Sequence, residues 1–140
     1  MKPCVFCSIA AGVTPVALVL DEPNVLGFLD ASPVFPGHVL LIPREHHETL
    51  TDLPPEAVNG VFLAVQRVAV GVKTATESDG TWVSMNNTVS QSVAHLHVHV
   101  VPRRRKDGLR GFYWPRQKYG SENEMFEIAA KIRAAIPAPP

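Results

Sequence analysis

An α+β fold, an antiparallel five-stranded sheet with a long helix and a C-terminal helix packed on it, is predicted for this 140-residue chain by three observations. Short runs rich in β-branched residues alternate with turn clusters near the start, one long helical stripe fills the middle, and further strand-like runs follow it. The early turns are too short to hold crossover helices, so neighbouring strands pair antiparallel.

Residues 16–20 and 25–30 are apolar and β-branched, separated by Asp21-Glu22-Pro23-Asn24, and read as a hairpin. Ser32-Pro33-Val34-Phe35-Pro36-Gly37 interrupts the pattern, and a third strand over residues 38–42 ends at Pro43. Asp52 stands as an N-cap before Pro54 and Pro55, after which Val58, Val61, Phe62, Val65, Ala69 and Val72 recur at helical spacing over residues 54–75. Asp79-Gly80 marks a turn, residues 81–86 a fourth strand, and the histidine-rich segment a fifth. Ser121-Glu122-Asn123-Glu124 has the form of a capping box ahead of Met125, Ile128, Ala129, Ile132 and Ile136, a second helix that Pro137-Ala138-Pro139-Pro140 cannot continue. One domain over residues 1–136 with a Pro-rich tail, 137–140, is the expected organisation.

The chain is 46% apolar, enough for one real core, and its 13 Lys plus Arg balance 13 Asp plus Glu. Global charge therefore argues for neither nucleic acid nor an anionic membrane as partner. Locally, seven basic residues (Arg103, Arg104, Arg105, Lys106, Arg110, Arg116 and Lys118) lie between Val101 and Tyr119 against Asp107 alone. Such a run is either a solvated loop or an electrostatic guide for a phosphorylated substrate. The N-terminus lacks the apolar run of a signal peptide and no stretch is long enough to span a bilayer, so a cytoplasmic protein is expected. Cys4 and Cys7 are the two cysteines, spaced C-x-x-C, and in a reducing compartment they read as a metal pair, a redox pair or inert thiols. The redox reading wants a strand before the pair, and none precedes it.

Chemistry is concentrated in Gln91-Ser92-Val93-Ala94-His95-Leu96-His97-Val98-His99-Val100-Val101-Pro102. In an extended strand His95, His97 and His99 share one face, and Leu96, Val98 and Val100 share the other. One histidine on a strand is ordinarily a satisfied partner of some carbonyl. Three in register are desolvated imidazoles that call for a ligand. Three same-face positions on one strand converge poorly on a tetrahedral ion, so a metal held by the three alone is disfavoured.

His95-Leu96-His97-Val98-His99-Val100-Val101 resembles the H-φ-H-φ-H-φ-φ signature of the histidine triad family. Cys4-Val5-Phe6-Cys7-Ser8-Ile9 with Gly12, Phe28-Leu29-Asp30-Ala31, and the run from Pro36-Gly37-His38 to Ile42-Pro43-Arg44-Glu45-His46 are similar to its other elements, in its order. The resemblance implies a dimeric nucleotide hydrolase or nucleotidyl transferase acting at the α-phosphate of phosphoramidates, dinucleoside polyphosphates or adenylylated compounds. Its ligand would be a purine nucleotide or nucleotide conjugate. It implies His97 as the nucleophile, with Nδ1–H held by the carbonyl of His95, and His99, if cationic, donating with Ser92 to phosphate or leaving-group oxygens. It further implies Val5, Phe6, Ile9 and Phe28 as the base slot, Asp30 on the ribose, and Gln91, Ser92 and His99 among the nucleotide contacts. Phe6 and Phe28 read equally as core, and Asp30 as a turn residue before Ser32-Pro33.

Zinc-binding members imply Cys4, Cys7, His46 and His95 as a structural Cys2His2 set, with the adjacent His47 an open alternative to His46. One departure stands out: members commonly carry N-x-G-x-x-A-G-Q before the triad, whereas Asn86-Asn87-Thr88-Val89-Ser90-Gln91-Ser92 has no glycine. Glycine lets backbone amides approach phosphate closely, so the loop's geometry and the size of its substrate are in question. The segment 108–116 is longer and more aromatic than the family pattern, either a loop packed on its own aromatics or a cover for the site. The rival readings are a nucleotide-binding regulator or scaffold with little turnover, and a zinc-stabilised nucleic-acid binder using the basic run.

Overall fold

The computed structural model describes residues 3–109 and 116–140. Two compact units are present, one up to Asp107 and one from Gly108. In the first, α1 (Val5–Ala10) precedes β1 (Leu18–Asp21), β2 (Val25–Leu29) and β3 (Val39–Pro43); α2 (Pro55–Ala75), β4 (Gly80–Ser84) and β5 (Val98–Arg103) follow. All neighbours in the sheet order β1-β2-β3-β5-β4 are antiparallel. The second unit holds α3 (Glu122–Ala135), whose N-cap Ser121 Oγ accepts from the Glu124 N–H at 3.1 Å while the Glu124 carboxylate takes the Gly120 N–H. The aromatic segment 110–115 lies outside the described residues.

Local chemistry explains most boundaries. The β1–β2 turn closes with Glu22 N–H on the Val25 carbonyl at 3.0 Å; β1 starts two residues later than its apolar run suggests and carries a register irregularity between Leu18 and Leu20. Asp52 does not cap α2, which starts after Pro54 without a side-chain cap. Instead Asp52 closes a reciprocal box with Thr49 around the 3-10 turn Leu50–Asp52, and its carboxyl is held below the usual range by those Thr49 bonds. The buried stripe of α2 is Val61, Ala64, Val65, Val68 and Val72, with Val58 and Phe62 exposed. Both α1 and the 3-10 turn are shorter than the periods by which sequence announces a helix.

The sheet separates two apolar layers. On one side Val25, Val39, Leu41, Leu96, Val98 and Val100 meet α2. On the other, Leu26, Phe28, Leu40 and Ile42 meet Phe6 and Ile9 of α1. Strict alternation along β2 and β3 produces both layers from one set of residues. Arg44 ties α1 to the sheet: Nε donates to the Glu22 carbonyl at 2.7 Å, Nη1 to the Ala10 carbonyl at 3.0 Å, and the guanidinium pairs with Asp21. Among the described residues no helix is long and apolar enough to cross a membrane.

Candidate functional site

The three triad histidines do not lie on one strand. β5 begins at Val98, so His99 is within it while His95 and His97 occupy the approach. A short turn, His95 N–H to the Val93 carbonyl at 2.8 Å, starts that approach, and the Leu96 N–H anchors it on the His47 carbonyl at 2.6 Å. The facing expected of a strand survives, because Leu96, Val98 and Val100 are fully buried in the α2 layer. His97 turns the other way, its ring edge-on to Phe6 at 5.1 Å and to His99 at 5.0 Å between centroids.

His97 Nδ1 lies 2.8 Å from the His95 carbonyl oxygen. A carbonyl only accepts, so Nδ1 carries the proton and the neutral ring's lone pair sits on Nε2. The residue is 3% exposed, yet no buried side-chain nitrogen or oxygen among the described residues lacks a hydrogen-bond partner, and Nε2 has none. That nitrogen therefore reaches the molecular surface.

Behind His99 stands a residue whose role the sequence reading missed. The Val34 N–H donates to His38 Nδ1 at 3.1 Å, which leaves the His38 proton on Nε2, and Nε2 donates to His99 Nδ1 at 2.9 Å. His99 in turn must carry its proton on Nε2, as a donor. Burial pushes the His99 pKa down to about 4, helped by the neighbouring His97 and His38 and opposed by Asp30. His38 is lowered by burial too, against the pull of Asp30. With its pKa held that low His99 is a neutral imidazole at pH 7, so of the two forms the resemblance left open it is the neutral one, with a fixed N–H, that this geometry favours. The signal for His38 was its place directly after Pro36-Gly37. Gly37 has φ +99° and its missing Cβ would sit 2.7 Å from Thr76 Cγ2, so only glycine delivers His38 there.

Asp30 Oδ1 accepts the Ser32 N–H at 2.8 Å, and Oδ2 is 3.7 Å from His38 Nδ1. Of the residues expected to form a base slot, Phe6, Ile9 and Phe28 are buried in the α1 layer, with Phe6 and Phe28 edge-to-face at 5.7 Å, while Val5 is exposed. Val5 and Ser92 line a cavity of about 800 Å3 together with Cys4, Glu48, Val93 and Ala94.

At the His95 end, Cys4, Cys7, His46 and His95 bring one ligand atom each to within 4.8 Å of one another. The fully buried His95 donates from Nε2 to the Pro43 carbonyl at 2.8 Å, so its Nδ1 lone pair is directed at Cys4 Sγ (3.5 Å) and Cys7 Sγ (3.6 Å). Cys7 Sγ is 3.3 Å from His46 Nδ1. Two sulfurs and two imidazole lone pairs converging in this way suit a tetrahedral ion. His46 rather than His47 joins the set: His47 Nε2 lies 3.7 Å from Glu45, and the His47 carbonyl holds Leu96. Burial and the adjacent Cys4 push the Cys7 thiol up. Burial lowers His95, the Pro43 bond opposing it.

The glycine-free loop contains two residues in the backbone region that favours glycine. Thr88 (φ 68°) and Ser90 (φ 59°) are left-handed. Gln91 is spent within the loop, its amide donating to the Glu48 carbonyl at 2.6 Å and accepting from the Thr88 N–H at 2.9 Å. Asn87 Oδ1 takes the Leu50 N–H at 2.7 Å. Past this brace, the N–H groups of Ser92, Val93 and Ala94 have no acceptor among the described residues. Successive amides without an acceptor, just ahead of the triad in the chain, are backbone of the kind that can bind an anion.

Comparison with known proteins places these features in a family. The HIT domain model matches residues 11–106. An uncharacterized HIT-like protein of Mycobacterium tuberculosis is 38% identical over 109 residues, 76% of each chain. Adenosine 5'-monophosphoramidase of Schizosaccharomyces pombe is 28% identical over 133 residues, 93% of this chain and 98% of that one. Among solved structures, a HIT family member from Bacillus subtilis superposes with a TM-score of 0.87 at 31% identity, covering 99% of this chain and 100% of that one. A zinc-bound histidine triad family protein from Mycobacterium smegmatis has a TM-score of 0.72 at 36% identity, covering 95% and 97%.

Proposed function

The chain belongs to the HIT family, and from that premise we propose that it is a nucleotide hydrolase or nucleotidyl transferase working at the α-phosphate of a nucleotide conjugate. The observation that carries the reading is His97, with Nδ1–H committed to the His95 carbonyl and Nε2 left free at the surface. Nε2 attacks phosphorus, the bond to the leaving group breaks with its electron pair, and a nucleotidyl-imidazole forms. Water, or an acceptor in a transfer reaction, then cleaves the P–N bond and restores His97. In this reading His99 Nε2–H and the backbone amides of residues 92–94 would supply donors where charge grows on the phosphoryl oxygens; the fixed tautomer of His99 and the lack of an acceptor for those amides among the described residues support it.

Adenosine phosphoramidates head the substrate candidates, by similarity to the fission-yeast monophosphoramidase. Cys4, Cys7, His46 and His95 would hold zinc, which when bound supplies a structural tie between the N-terminus and the triad approach. The test is rapid quench with adenosine 5'-phosphoramidate followed by intact and peptide mass analysis. A nucleotidyl adduct on the His97 peptide, and turnover lower by about a thousandfold or more in His97→Ala, are the expected results. Nucleotide binding without an adduct and with unchanged slow turnover in His97→Ala would instead favour a binding or scaffold role.

A further inference from the structure

His95 lies between the two cysteines and His97, in contact with both. Its Nε2–H is committed to the Pro43 carbonyl at 2.8 Å and its Nδ1 lone pair has the two sulfurs as its hydrogen-bond partners, at 3.5 and 3.6 Å, in a residue with no solvent exposure. Its carbonyl oxygen fixes the proton of His97 Nδ1 at 2.8 Å. As thiols, the cysteines can donate S–H to that lone pair; as thiolates, they can share a metal with it. A disulfide can do neither.

We propose that Cys4 and Cys7 form a reversible redox modification site, closed to a disulfide by hydroperoxides, whose state the nucleophile His97 senses through His95. Both cysteines are partly exposed, and their sulfurs lie within 4.8 Å of each other. Closing to a bond of about 2 Å is a movement of side chains in the first turn of α1. One sulfur, as thiolate, attacks the peroxide O–O bond, giving a sulfenic acid and releasing water or an alcohol. The second sulfur displaces the sulfenic oxygen, which leaves as water. Two thiols lose two protons and two electrons, one hydroperoxide takes them up, and any metal held by the thiolates is released.

Closure takes away every partner of His95 Nδ1. An orphaned acceptor in a fully buried ring is costly, so the ring or its segment shifts to find another. The His95 carbonyl shifts with it, and His97 Nδ1–H loses the acceptor that keeps the lone pair on Nε2. The disulfide is therefore a brake on the triad, released by reduction. Metal and disulfide exclude each other, so the metal protects the active arrangement.

The catalytic consequence rests on the nucleophilic role proposed for His97, whereas the structural consequence does not, and the test separates them. Zinc-loaded protein, grown with 15N-histidine, is treated with hydrogen peroxide and then with dithiothreitol. Expected are loss of two hydrogens by intact mass with a Cys4–Cys7 cross-linked peptide, release of zinc to a chromogenic chelator, and altered His97 ring 15N signals. Turnover of adenosine 5'-phosphoramidate should fall at least about tenfold. The cross-link, the His97 signals and the turnover should return on reduction with zinc resupplied, and no cross-link should form in Cys7→Ser. Unchanged His97 signals in disulfide-bonded protein, or oxidation that stops at sulfinic acid without a cross-link, would overturn the proposal. Changed signals in a protein that has no turnover when reduced would instead remove the proposed function and leave the redox site standing.

Discussion

His97 and His99 differ by what lies behind each ring. A backbone carbonyl behind His97 puts the lone pair outward, while the His38 N–H behind His99 puts a proton outward. One site therefore presents an outward lone pair and an outward N–H from the same kind of side chain, distinguished only by tautomer. Replacing His38 with Phe removes the group that sets the second tautomer. We expect kcat/KM for a phosphoramidate to fall about 10- to 100-fold in His38→Phe with the far-ultraviolet spectrum retained, the loss of one committed hydrogen bond next to reacting oxygens. Because His99 titrates near pH 4, it acts as a neutral donor. Its contribution to kcat/KM should stay level from about pH 5.5 upward, whereas a cationic donor would lose effect tenfold per pH unit above about 4. Comparing the pH profiles of wild type and His99→Gln decides between them.

At the scale of elements, the loop between β4 and the triad approach takes left-handed backbone without any glycine. Thr88 and Ser90 hold left-handed backbone, disfavoured for a β-branched residue above all, and the Asn87 and Gln91 amides brace them. Thr88→Gly is expected to stabilise the protein by about 0.5–1 kcal/mol, seen as a raised denaturant midpoint at unchanged slope. Gly37→Ala should do the opposite. Its Cβ meets Thr76 at 2.7 Å and its φ is +99°, so a loss of about 1–3 kcal/mol is expected, with turnover falling further because His38 is displaced. Alternation and the helical stripe made the sheet and α2 legible in the sequence. α1 and the 3-10 turn were not, because six and three residues are too few to show a period.

For the whole molecule, His38, His95 and His99 are all held below their ordinary pKa, chiefly by burial. An unfolded chain would bind protons to them more readily. Stability is fully present above pH 6.5 and is lost as pH falls from there toward about 4, where His99 protonates in the folded state. Acid titration of the unfolding free energy should show this decline, and a flat profile between pH 4 and 6.5 would sink the assignment. Stripping metal from the cysteine-histidine set with a chelator should lower the melting temperature without unfolding the sheet at room temperature, since two apolar layers hold it independently.

The sequence by itself determined the family, the alternation that builds two layers from single strands, and the residue types of both histidine clusters. Those follow from spacing along the chain, which a linear pattern records directly. Only the tertiary structure decided that His46 and not His47 meets the cysteines, that Asp52 closes a turn instead of capping α2, and that His38 stands behind His99. It also decided that Thr88 and Ser90 take the place of glycine in the loop. Each depends on where a hydrogen-bond partner from a distant segment arrives, and that is set by the fold's packing, which neighbouring residues do not encode.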